Sequence, residues 1–125
     1  MFSVPNMVLF VEDDSLLHLG MDDAFGAAGL GLIGALCWHE AHQLLETRPQ
    51  ALCALVTDVE LGEGPTGWAL ARRARQTLPG LPVVYASGCG GHHFQAEAVA
   101  GAKFVNKPYA PGHLALVTRA LMSRA

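Results

Sequence analysis

The strongest constraint on this chain is an alternation. Five short runs rich in apolar residues, Met7–Val11, Gly31–Cys37, Leu52–Thr57, Pro82–Ser87 and Lys103–Asn106, are separated by segments with apolar residues at helical spacing. Runs this short and continuous suit strands buried on both faces. In the first helical segment Ser15 can act as the cap, and Leu16, Leu19, Met21, Ala24, Phe25 and Ala28 fall on one side before Gly29. Trp38–Arg48 turns Ala41, Leu44 and Leu45 inward and stops at Pro49. Trp68–Leu78 follows the turn-rich stretch Gly62–Gly67 and presents Arg72, Arg73 and Arg75 as a solvated face. A loose Gly88–Gly91 loop precedes a short helix near Phe94–Ala100, and Pro111–Met122 is a last helix opened by Pro-Gly. Strands alternating with helices across short connections predict an α/β fold: an open parallel sheet covered on both faces.

Size and composition agree with one such unit. The 125 residues match a single domain, 1–125, with no linker, repeat or low-complexity tract, and 51% hydrophobic against 15% charged residues exclude a disordered tail. A chain of this length buries roughly two-thirds of its unfolded surface, so it needs no disulfide or zinc staple. Eight basic residues against eleven acidic ones give a net charge of −3, which leaves no basic stripe for a nucleic-acid backbone. No apolar run approaches the roughly 20 residues of a membrane span. The N-terminus, MFSVPNMVLFVEDD, lacks the pattern of an export leader, and Cys37, Cys53 and Cys89 form no C-x-x-C. A cytoplasmic protein with reduced thiols is expected.

Parallel sheets of this kind carry their sites just beyond the carboxyl ends of the strands. Glu12, Asp13 and Asp14 follow the first run, Asp58 and Glu60 the third, Ser87 ends the fourth, and Lys107 follows the fifth. Singly, each is an ordinary cap or turn residue. Together they are harder to dismiss, because the chain has only two lysines, Lys103 and Lys107. Two carboxylates about 4 Å apart repel by roughly 4 kcal/mol at an effective dielectric near 20. Glu12, Asp13 and Asp58 would therefore welcome a divalent cation, and hard oxygen donors favour magnesium over zinc. With such an ion present, one carboxylate can attack a phosphoryl group while Lys107 and Ser87 hold other phosphoryl oxygens.

At this point the residues resemble the receiver domain of bacterial two-component response regulators. VLFVEDD, LVTDVEL, PVVYASG and FVNKPY occur in that family's order and spacing across essentially the whole chain. The resemblance implies a flavodoxin-like, three-layer doubly wound sheet of five parallel strands in the order 2-1-3-4-5. It implies that Asp58 accepts a phosphoryl group from a histidine kinase or histidine phosphotransferase. It further implies that Asp13 binds Mg2+ (or Mn2+) directly, that Glu12 does so through water, and that Asp58 and the backbone carbonyl of Glu60 complete the metal set. Ser87 would reach a phosphoryl oxygen, Lys107 would pair with the phosphate, and the bond to Pro108 would be cis. Phe104 stands where the family has its switch aromatic, rotating as Ser87 moves, and Asp14 would help to cap the first helix. The output would be a downstream protein target, and a phosphorylation-linked homodimer is compatible with it.

Two features depart from the family's usual pattern: the long VELGEGPTG turn after Asp58, and the glycine loop with its short fourth helix. Glu60 also brings a carboxyl group near the site. His39 and His42, as H-E-A-H, lack the H-E-x-x-H metalloprotease pattern, and His92-His93 reads as a solvated pair. Trp38 and Trp68 are expected to border helices, and nothing nearby in sequence marks Cys89 as reactive. The competing readings are a receiver-like protein-binding module that no kinase uses and an aspartate-nucleophile phosphatase. The latter would want D-x-D after the first strand, whereas here D-x-E follows the third. A flavin-binding protein is disfavoured by the three acids after strand one.

Overall fold

A computed structural model describes residues 5–89 and 91–123; Gly90, inside the loop expected at 88–91, and the chain ends lie outside the described residues. Strands β1 (Met7–Val11), β2 (Gly31–Ala35), β3 (Leu52–Thr57), β4 (Val83–Ser87) and β5 (Lys103–Asn106) form one sheet in the order β2-β1-β3-β4-β5. Every pairing is parallel. The helices are α1 (Met21–Ala27), α2 (Trp38–Thr47), α3 (Gly67–Thr77), α4 (Phe94–Glu97) and α5 (Pro111–Met122).

Alternation along the strands makes three layers, because successive side chains point to opposite faces. Leu9 and Val11 of β1 join Leu55, Val83 and Tyr85 beneath Ala41 and Leu45 of α2 and Leu70, Ala71 and Ala74 of α3. Val8 and Phe10 join Val56, Val84 and Ala86 beneath Met21 and Phe25 of α1 and Leu114 of α5. Full burial of each large side chain contributes about 1.5–3 kcal/mol. Since β2 and β3 lie on opposite sides of β1, the chain reverses its winding there, and a crevice opens beyond the carboxyl ends of β1 and β3.

Several local expectations are corrected. The segment after β1 is not one helix capped by Ser15. Asp14 is the cap: its side chain accepts from the Leu16 N–H at 3.0 Å and closes a 3-10 turn, Ser15–His18. The left-handed Gly20 (φ 79°) then redirects the chain into α1, leaving Leu16 and Leu19 each 71% exposed instead of in the core. β2 stops at Ala35 because the Leu36 N–H is taken by the Glu40 carboxylate at 2.7 Å, which makes Cys37 the cap position of α2.

The arginines of α3 are engaged rather than simply solvated. Arg72 donates to the Glu97 carbonyl and carboxylate, Arg73 pairs with Glu46, and Arg75 donates to the carbonyls of Leu81 (2.7 Å) and Ala100 (2.8 Å). These bonds, with the Tyr85 hydroxyl accepting from the Val99 N–H at 3.1 Å, spend backbone groups that a longer α4 would need. Accordingly α4 ends at Glu97, with Ala98 extended, short of the expected Ala100.

Candidate functional site: an acidic cleft closed by one lysine

The ends of β1 and β3 are tied together before any side chain acts. The Asp58 N–H donates to the Val11 carbonyl at 2.9 Å, and the Glu12 N–H to the Ala35 carbonyl at 3.0 Å. Both acids are nearly buried, Glu12 at 1% and Asp58 at 7% exposure, whereas the adjacent Asp13 is exposed. Glu12, Asp13 and Asp58 each offer a carboxylate oxygen, all within 4.8 Å of one another.

Lys107 answers this charge. Its ammonium lies 2.5 Å from Glu12 Oε1 and 2.9 Å from Asp58 Oδ2. Burial alone would lower the lysine's pKa, but hydrogen bonds to Glu12 and then Asp58 outweigh it and hold the group above the ordinary lysine range. Burial pushes the Glu12 carboxyl up. Its bonds to Lys107 and to the Asp14 N–H pull down, the charge of Asp58 pushes up again, and the balance stays raised. The Lys107–Pro108 peptide is cis, and the Lys107 N–H donates to the Ser87 carbonyl at 2.9 Å, which joins the ends of β4 and β5.

A cleft of about 270 Å³ opens onto these groups, lined by Asp13, Asp58, Glu60, Ser87, Gly88 and Cys89. Its two loops are built alike. The Glu60 N–H donates to Asp58 Oδ1 at 3.2 Å, and the Cys89 N–H to Ser87 Oγ at 3.3 Å. The side chains of Glu60 and Cys89 then meet across the cleft, Sγ to Oε1 at 2.6 Å. That bond and the nearby carboxylate charge raise the thiol's pKa, so Cys89 is a neutral donor here. Beneath the site, the Gly67 N–H donates to the Val59 carbonyl at 2.7 Å, and a Cβ at Gly67 would fall 1.9 Å from the Asp58 carbonyl oxygen.

Thus Glu12, Asp13, Asp58, Glu60, Ser87 and Lys107 are brought together at one end of the sheet. Phe104 is not part of the cleft lining. It sits half-buried on β5, its ring edge-on to Phe94 at 5.9 Å, and Phe94 in turn approaches Tyr85, which packs on Trp68 at 4.5 Å. Three contributors escaped sequence reasoning: Gly67, Cys89 and His18. Gly67 stands in the sequence only as the last glycine of the turn after Asp58, and Cys89 only as a thiol with no mark of reactivity. His42 is occupied by Arg73 and Glu46, and His92 and His93 are exposed.

No protein-family model matches the chain. It is 29% identical over 121 residues to Sensor kinase CckA of Brucella abortus (strain 2308), a match covering 94% of this chain and 12% of that protein. Among solved structures, a response regulator receiver protein from Sinorhizobium medicae WSM419 superposes with a TM-score of 0.87 at 25% identity, covering 94% of each chain. The receiver domain from Hybrid Histidine Kinase CckA superposes at 0.76 with 27% identity, over 93% of this chain and 98% of that one. A parallel 2-1-3-4-5 sheet with an acid cluster at its switch point is the CheY-like fold, and these likenesses relate the chain to response regulator receiver domains. These likenesses indicate two-component phosphorelay signalling, and the chain spans about an eighth of the length of the curated sensor kinase it matches. Among the described residues no helix is long and apolar enough to cross a membrane.

Proposed function

We propose that Asp58 is the phosphoacceptor of this domain and that a histidine kinase or histidine phosphotransferase is its donor. One Asp58 carboxylate oxygen forms the new bond to phosphorus. The phosphorus–nitrogen bond of the donor's phosphohistidine breaks, and the imidazole nitrogen leaves with the electron pair. The observation that carries this reading is Lys107, which spans Glu12 and Asp58, the latter lining a cleft with Asp13 and Ser87.

The donor set fits a hard divalent cation, Mg2+ or Mn2+. Three carboxylates converge within 4.8 Å, and a single ammonium meets only two of them. Asp13 would bind the ion directly and Glu12 through water, with Asp58 and the Glu60 carbonyl completing the set. When bound, the ion supplies positive charge beside the phosphoryl oxygens. Lys107 pairs with one phosphoryl oxygen and the Ser87 hydroxyl donates to another. The Glu60 N–H orients the acceptor by holding Asp58 Oδ1.

Phosphorylation would draw Ser87 toward the new oxygens and let Phe104 rotate, altering the face made by α4, β5 and α5. That face carries an apolar cleft of about 760 Å³, lined among others by Phe104, Tyr109, Val117 and Leu121, which suits a downstream protein target. The domain, residues 1–125, acts in the cytoplasm and catalyses no turnover beyond gain and loss of its own phosphoryl group. A phosphorylation-linked homodimer is compatible with the same face.

Intact-mass measurement after incubation with Mg2+ and acetyl phosphate tests the reading, with Asp58→Asn alongside. One base-labile phosphoryl group, absent in the variant, supports it. An unmodified wild type, or equal modification of the variant, overturns it. Turnover of many phosphate esters would point instead to a phosphatase.

A further inference from the structure

We infer that His18 is a positioning residue for the acidic site, fixing the peptide that joins Glu12 to Asp13; the role rests on the reading of that site as a divalent-cation and phosphoryl centre. The 3-10 turn after β1 carries His18 back over the strand it has just left, and Nε2 lies 2.8 Å from the Glu12 carbonyl oxygen. A carbonyl can only accept, so Nε2 carries the proton and donates it. Glu12 comes one residue after the last β1–β2 ladder pair, Val11 with Ala35, so its carbonyl lies beyond that ladder. The histidine supplies the bond that the ladder no longer provides.

The ring has a built seat. Its edge meets Phe10 at 4.9 Å and 70°, and the residue paired with Phe10 on β2 is Gly34. A Cβ at position 34 would stand 2.9 Å from His18 Nδ1 and 3.2 Å from Cε1, so any side chain there must displace the ring. Phe10 thus gives the ring a surface, Gly34 leaves it room, and the Glu12 carbonyl gives it a bond. The peptide it holds sets the direction from which two of the three clustered carboxylates enter the cleft. Glu12 is bound at both ends, its carboxylate by Lys107 and the Asp14 N–H and its carbonyl by His18. Partners of this outer kind tune a metal site through the orientation of its ligands.

The test is calorimetric titration of the full chain with Mn2+ alone, for wild type, Asp13→Asn, His18→Leu, His18→Gln and Gly34→Ala, each first shown by urea melting to be folded. Asp13→Asn should abolish binding, and His18→Leu should weaken it about tenfold. His18→Gln, whose amide N–H can reach the same carbonyl, should recover wild-type affinity to within about twofold. Gly34→Ala should weaken binding as His18→Leu does although the histidine is still present. Should His18→Leu not fold, the contrast between His18→Gln and Gly34→Ala decides. If Asp13→Asn abolishes binding but His18→Leu binds like wild type, or if Leu and Gln weaken it equally, the inference is overturned while the site reading stands. If wild type itself binds no Mn2+, the site reading falls and this inference with it.

Discussion

The ammonium of Lys107 holds two buried acids from different strands, Glu12 beyond β1 and Asp58 beyond β3, at 2.5 and 2.9 Å. Removing one partner of a fully buried ion pair costs about 3–5 kcal/mol, because the remaining charge is left uncompensated. The Lys107 side chain is 21% exposed, so solvent screening reduces the expected loss for Lys107→Met to about 1–3 kcal/mol. Urea denaturation near neutral pH measures it. Added Mg2+ should then restore more stability to the variant than it adds to wild type, since the dication replaces the lost positive charge.

Glu12 has a raised pKa in the folded state, with burial as the first cause, and the sign of its pH dependence follows. Below its ordinary value of 4.5 the group is protonated in both states, and its stabilising contribution is fully present. As pH climbs through the raised folded value, that contribution is lost. The stability of wild type minus that of Glu12→Gln should therefore decline with pH above 4.5 when divalent ions are chelated. With saturating Mg2+ the decline should flatten, because the ion favours the ionised carboxylate. Urea melts across pH, with and without chelator, check both halves.

The chain's two tyrosines provide a second pH signature. Burial pushes the Tyr109 phenol up to about 12, with the charge of Glu12 adding to it. Burial also raises Tyr85, which is fully enclosed while its oxygen accepts from the Val99 N–H. Both therefore stabilise the fold fully below their ordinary value of 10, and that contribution is lost as pH rises through the folded values. Ultraviolet absorbance should show little tyrosinate near pH 10 and a late, steep rise coincident with loss of circular dichroism. A Tyr85→Phe variant should retain only the Tyr109 portion of that rise.

Gly67 packs its α-carbon so close to the acceptor loop that alanine would drive a methyl group to 1.9 Å from the Asp58 carbonyl oxygen. Backbone must move, and overpacking of this kind costs about 1–3 kcal/mol, occasionally more. Because the displaced peptide belongs to Asp58, phosphorylation by acetyl phosphate should slow in Gly67→Ala even where urea melts show a folded protein. Thr66→Ala serves as the control. It loses the helix cap made by the Thr66 hydroxyl to the Ala69 N–H at 3.2 Å, costing about 1 kcal/mol, without touching Asp58.

What was legible in the sequence was what short-range pattern encodes. Leu52–Thr57, Lys103–Asn106 and Pro111–Met122 were readable to the residue, because each is a continuous apolar or amphipathic run bounded by a polar or proline break. Asp58 and Lys107 stand out because each follows the carboxyl end of a strand and the chain has only one other lysine. Helical spacing misleads at Leu16 and Leu19, because the cap at Asp14 closes only a 3-10 turn and periodicity does not report the left-handed φ of Gly20. The contacts of Arg75 with Ala100 and of Cys89 with Glu60 join residues distant in sequence, and no local pattern carries them.

The Cys89–Glu60 contact is also where this domain's signal duration is open to change. Glu60 follows Asp58, the proposed phosphoacceptor, by two positions, Cys89 follows Ser87 likewise, and each donates its own N–H back to that residue's side chain. Their side chains join across the cleft that Asp58 also lines. Removing the thiol in Cys89→Ala frees the Glu60 carboxylate and widens the mouth while leaving both backbone bonds in place. If the joined pair slows the entry of water by about 1 kcal/mol, the aspartyl phosphate should decay about fivefold faster in the variant. Glu60→Ala should do the same, and the double variant should add little, because either change breaks the same bond. The measurement is loss of the phosphoryl group by intact mass after acetyl phosphate is removed. Equal lifetimes in wild type and Cys89→Ala would show that the contact does not limit hydrolysis. Additive effects in the double variant would show that the two side chains act separately.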